Sequence, residues 1–127
     1  MTDIQQQNTG GRLDWRKLPP HERWNWWEQL WKDAVRLRDR YRLVLRSDWW
    51  QDDIQVETLA ALAALVNGYD SGAWNDPLAK LRLLYELDRI RHLLRGGEAV
   101  FDPDRDRGHF AQHELEIGCE PDDELFR

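Results

Sequence analysis

An all-α fold is predicted for this chain, a three-helix bundle with a flexible N-terminal arm and an acidic C-terminal strap, and three observations predict it. The segment from His21 to Leu43 follows Pro19-Pro20 and contains no Gly or Pro, as a helix opened by proline in its first turn requires. Along this segment and two later ones the apolar residues recur at three and four rather than at two. Asp76-Pro77 and Gly96-Gly97 bracket the last of them as an N-cap with proline at the first helical position and as a glycine stop. At 127 residues and 41% hydrophobic content one core is expected.

Residues 1–18 are polar, with Gln5, Gln6, Gln7 and Gly10-Gly11 and no period, and read as a flexible arm in which Leu13 and Trp15 alone can dock. The first helix is placed at 20–44. On it Trp24, Trp27, Leu30, Trp31, Ala34, Leu37 and Tyr41 share one arc, with Trp26, Val35 and Val44 at its edges. Such an arc covers about half the circumference, so it should meet two helices or a partner chain. Asp52 or Asp53 caps the second helix, 53–68, whose stripe is Leu59, Leu62, Val66 and Tyr69 and whose other side is nearly flat with Ala60, Ala61 and Ala64. The third helix, 77–95, carries two stripes: Leu83, Leu87, Ile90 and Leu94, and on the opposite side Leu78, Leu81 and Tyr85. Two stripes call for two neighbours. The bundle therefore spans 19–97. Beyond it residues 98–127 hold ten acids and three bases, a net −7, against +1 for residues 1–97. In that tail a small hairpin or an extended strap laid on the bundle is expected.

The overall charge of −6 gives no general attraction to polyanions, and no apolar run approaches the length of a membrane span, so a cytoplasmic protein with no membrane contact is expected. Cys119, the single cysteine, can form no internal disulfide. Glycine pairs lack phosphate-cradle spacing, and neither Ser47 nor Ser71 sits in a nucleophile elbow. No cofactor is implied.

Three constellations carry chemistry. Asp102, Asp104, Asp106 and Glu114 resemble a calcium loop, but Arg107 and His113 stand where such a loop has its Gly and its closing Glu. The plainer alternative is a solvated acidic turn neutralised by Arg105 and Arg107. His109 and His113, with Glu114, Glu116 or Cys119, could assemble an imidazole site, against two surface histidines on a strap. Arg36, Arg38, Arg40, Arg42 and Arg46, near Tyr41 and Trp49-Trp50, suit phosphate and stacked bases. The opposing explanation is that they answer the helix dipole, with the acidic tail lying against them. Eight tryptophans, also including Trp74, can serve as core bulk or as binding anchors.

The RDRYRL segment ending at Leu43, the Asp48-Trp49-Trp50 loop, the Leu59 to Leu65 stripe and the AWNDPL entry to the third helix carry a resemblance covering about residues 30–95. By these motifs the chain resembles a family of small actinobacterial domains of unknown function often encoded with plasmid-transfer or integrative-element genes. The resemblance implies a mobile-element setting and no catalytic residues. Where that family has a histidine soon after the loop tryptophans this chain has Asp52 and Asp53, so no role passes over.

The leading expectation is a non-enzymatic helical accessory protein binding a protein partner or a second copy of itself through Trp24, Trp26, Trp27, Trp31, Trp49, Trp50 and Tyr85. A nucleic-acid-binding module using the arginines is the second, and a small metal-dependent enzyme built on the tail the third.

Overall fold

In a computed structural model the described residues are 14–73, 75–94 and 99–121. Among them the chain is all-helical: α1 (Pro20–Tyr41), α2 (Asp53–Asp70), α3 (Pro77–Leu94) and α4 (Pro103–Glu116), with single 3-10 turns at Trp15–Lys17 and Trp49–Gln51. The expectations that fall on residues 1–13, on Trp74, on Arg95 with the glycine stop, and on the end of the tail lie outside these residues.

The helix starts lie where local chemistry puts them. Pro20 occupies the first turn of α1, and the Asp52 carboxylate accepts from the N–H groups of Ile54 and Gln55 at the start of α2. Asp76 accepts from Leu78 N–H at the start of α3. The end of α1 differs from expectation. It stops at Tyr41, three residues before 44, with Arg42 in the left-handed region at φ 56. After that turn the backbone runs extended, with Leu43 and Leu45 buried and Val44 exposed. An alternating burial of three residues is something a helix could not provide.

α1 and α2 run side by side in the same direction. Arg16, beside the first turn of α1, pairs with Asp53 at 2.8 Å, and at the other end Arg40 and Arg36 reach Asp70 at 2.6 and 3.5 Å. Residues 42–52 make the return. α3 then folds back antiparallel on α2: Lys80 sits 4.6 Å over the Tyr69 ring at one end, and Gln55 donates to Leu93 C=O at the other. The interface is built from Leu59, Leu62 and Val66 of α2 with Leu83, Leu87 and Leu94 of α3, all buried.

The expected three-helix count is corrected to four, because the tail supplies a helix where a hairpin or extended strap was expected. Only a short extended contact precedes it, in which Arg46 and Val100 form an antiparallel bridge flanked by Ser47 N–H to Ala99 C=O and Phe101 N–H to Leu45 C=O. Asp102 caps α4 by accepting from Asp104 and Arg105 N–H, Pro103 fills the first position, and Asp106 accepts in return from Asp102 N–H. α4 lies antiparallel on α1, with Arg107 on Glu28 and Glu120 N–H on Pro20 C=O. The broad arc of α1 thus meets two neighbours within the chain: α2 on one side, α4 with the Trp49–Gln51 turn on the other.

Gly108 sits inside α4 with nothing within 4 Å of the position a Cβ would take, and its φ is not positive. Gly108→Ala is therefore expected to stabilise the protein by about 0.5–1 kcal/mol through reduced unfolded-state freedom. Urea denaturation midpoints of the two proteins check this, and a lower midpoint for the alanine form would count against a helix there.

Candidate functional site

Most of the tryptophans serve the interior. Trp27, Trp49 and Trp50 are 1%, 0% and 4% exposed. Trp27 packs edge-on against Trp15 at 5.0 Å and Trp26 at 5.3 Å, and Phe110 of α4 enters between Trp31, Trp49 and Trp50 at centroid distances of 4.7, 5.8 and 5.5 Å. Phe101 closes the ring from the segment before α4, 5.1 Å from Trp31. These tilted and T-shaped pairings suit the aromatic quadrupole. The indole N–H groups of Trp27, Trp49 and Trp50 find no acceptor among the described residues, so area and ring geometry hold them. Trp24, Trp26 and Trp31 are half-buried against the same cluster. Of the seven predicted partner-binding residues, Tyr85 alone is fully in solvent, at 72% exposure.

The arginines at the end of α1 are engaged within the chain. Arg36 bonds Asp33 and Asn67 and pairs with Asp70, Arg38 pairs with Asp39, Arg40 with Asp70, and Arg46 with Asp48 and Asp52. Arg42 is exposed at the left-handed turn. The acids that neutralise this end come from α1, α2 and the Asp48–Asp52 turn. The described part of the acidic tail, expected to lie here, forms its ion pairs elsewhere, with Arg107 on Glu28 and Arg105 on Asp106. The Arg40 bond holds Asp70 below the usual carboxylate range.

The acids of the candidate calcium loop do not converge. Asp102 is occupied as a helix cap. Asp106 is buried, and although burial works against its charge, Arg105 and Asp102 N–H outweigh it and keep the carboxyl below its ordinary value. Asp104 is exposed, and Glu114 lies on the α1 side of the helix opposite Glu28. His109 is exposed, while His113 packs edge-on over Trp27 at 5.1 Å and burial lowers its pKa. Among the described residues no three His, Cys, Asp or Glu side chains are placed to hold a metal ion. Burial, then the nearby Glu114, pushes the Cys119 thiol up to about 12, which removes its nucleophilic form at neutral pH.

What remains open is the outer face of α3. Leu83, Leu87 and Leu94 point into the core, so Leu78, Leu81 and Tyr85, on the opposite side, are left 67%, 62% and 72% exposed. Beside this row a groove of about 400 Å³ separates α2 and α3, lined by Leu65, Tyr69, Leu78, Ala79 and Leu83 with Asp76, Arg82 and Glu86. The row has i, i+3, i+7 spacing, and the groove next to it mixes an apolar lining with both signs of charge. A contiguous apolar face of this kind is the usual mark of a contact surface. The periodicity of α3 predicted this second stripe. The groove had no signal, because Leu65 and Tyr69 come from another helix.

No known family model, curated protein or solved structure matches the chain.

Proposed function

We propose that the protein is a non-enzymatic helical interaction module whose contact surface is the outer face of α3 with the α2–α3 groove, and that it receives an amphipathic helix of a partner protein. The observation that carries this is the exposed row Leu78, Leu81 and Tyr85 on a helix already anchored by its other side. A helix laid along such a row places its own i, i+3, i+4 side chains against it, and the groove accepts one large apolar anchor. Arg82, Glu86 and Asp76 around that groove supply orienting charge. The buried indoles act in this reading as the scaffold that keeps α1 rigid beneath α2. The paired arginines of α1 lend the nucleic-acid alternative less support than they lent it in sequence. The mobile-element setting stays with this proposal on the strength of the motifs alone.

A photo-crosslinking residue at position 85 in the full chain, expressed in its native host, tests the proposal. One protein should be captured at 85 and not at Asp104 on α4, and Leu81→Asp should abolish capture while leaving thermal stability within ~0.5 kcal/mol, as expected for an exposed site. Capture of a second copy of the chain would name that copy as the partner. Equal capture at both positions, or capture untouched by Leu81→Asp, would overturn the assignment of the surface.

A further inference from the structure

The seat of α4 on α1 contains a group of charged side chains that neither the core nor the contact surface explains. α4 turns three residues inward at spacings of four, Asp106, Phe110 and Glu114, which are 4%, 0% and 3% exposed. Phe110 fills the ring of tryptophans. One turn on, Glu114 meets Glu28 of α1, whose other partner is Arg107 at 2.6 Å, and the Arg107 guanidinium lies 5.1 Å over Trp31 and 5.4 Å over Phe110. The remaining titratable groups here are Arg23 from α1, which donates to Ile117 C=O at 2.8 Å, His113 and Glu116 from α4, and Cys119 just after it. Two carboxyls therefore face one another beside one guanidinium. Glu114 is 3% exposed, and among the described residues its buried Oε2 has no hydrogen-bond partner. A carboxyl so placed is far less costly to bury with its proton than without it.

We propose that α4 is a proton-held latch: it stays closed on the aromatic face of α1 while the buried Glu114 carboxyl keeps its proton, and loss of that proton releases α4 while α1–α3 remain folded. α1–α3 stay together through contacts of their own: α2 packs on α3 through Leu59, Leu62, Val66, Leu83, Leu87 and Leu94, and α1 lies along α2 with Arg36 and Arg40 on Asp70. Segments of low local stability open on their own when their docking contacts weaken. Release uncovers the rings that Phe110 covers.

The pH range follows from the directions of the neighbouring groups. Burial and the facing Glu28 push Glu114 up to about 9, against 4.5 for the free side chain, so docking binds a proton and weakens as pH rises through this interval. His113 acts with the opposite sign, because burial lowers its pKa from 6.5 and docking therefore strengthens as the imidazole loses its proton at acid pH. Cys119 contributes only above the ordinary thiol value of 9.0. Between pH 7 and 9 the loss belongs to Glu114, with a slope of at most about tenfold in the docking constant per pH unit.

Hydrogen exchange of the full chain at pH 7, 8 and 9, corrected for intrinsic rates, reads this directly. Protection of α4 should fall by about tenfold per pH unit while protection of α2 and α3 is unchanged. In Glu114→Gln, which keeps shape and a hydrogen bond but cannot ionise, the fall should disappear. Glu28→Gln leaves Glu114 buried but removes the second cause, so it should move the fall to lower pH, and it serves if the first variant does not fold. Protection of α4 independent of pH, a fall unchanged in both glutamine variants, or equal losses in α2 and α4 would each overturn the latch.

Discussion

Trp27→Ala is expected to lose about 4 kcal/mol of stability, the middle of the range for truncating a buried aromatic residue. Against the 5–15 kcal/mol that a domain of this size typically has, such a loss lowers the melting temperature by roughly 15 °C. Trp27 is 1% exposed and touches three side chains from two other parts of the chain, Trp15 of the first 3-10 turn at 5.0 Å, and Phe110 and His113 of α4 at 6.0 and 5.1 Å. Removing the indole opens a cavity that none of the three can fill without leaving another contact. Its N–H has no partner among the described residues, so no acceptor there is orphaned and the loss is one of area and packing. Trp27→Phe should recover more than half of it. Thermal unfolding followed by circular dichroism decides the matter, and a loss under about 1 kcal/mol would mean that the cluster does not hold α4.

Leu87→Asp is expected to cost still more, about 5 kcal/mol, while Tyr85→Asp two positions away should change stability by less than ~0.5 kcal/mol. Leu87 is 3% exposed in the α2–α3 interface, and an aspartate there must remain protonated or bury a charge with no partner; Tyr85 is 72% exposed and an aspartate there remains in water. The pair measures which stripe of α3 faces the core. Guanidinium denaturation of the two variants should give well-separated midpoints, and similar midpoints would mean that α3 is packed on both sides.

Much of this was open to reading from the residues in order. Pro20, Asp52 and Asp76-Pro77 act within one turn of themselves, so the starts of α1, α2 and α3 follow from chemistry that no distant residue can alter. α4 carries the same signal, Asp102-Pro103, yet its periodicity was hidden. Two of its three inward residues are Asp106 and Glu114, so a pattern sought in apolar residues finds Phe110 alone, and Gly108 weakens the helical reading further. The end of α1 was hidden for a different reason: helical spacing still fits as far as Val44, and only the need to bury both Leu43 and Leu45 turns the chain into an extended return.

The sequence by itself determined the all-α class, the positions where the first three helices begin, and the two-sided character of α3, because caps, prolines and apolar spacing are local quantities. The tertiary structure alone decided which tryptophans are spent on the core, that α1 and α2 run in the same direction, that the arginines of α1 are answered by Asp70 and the Asp48–Asp52 turn, and that Glu114 is buried against Glu28. Each of these depends on an encounter between residues far apart in the chain. An indole or a carboxyl carries no mark in sequence of the surface it will meet, and its burial and protonation are set by that neighbour.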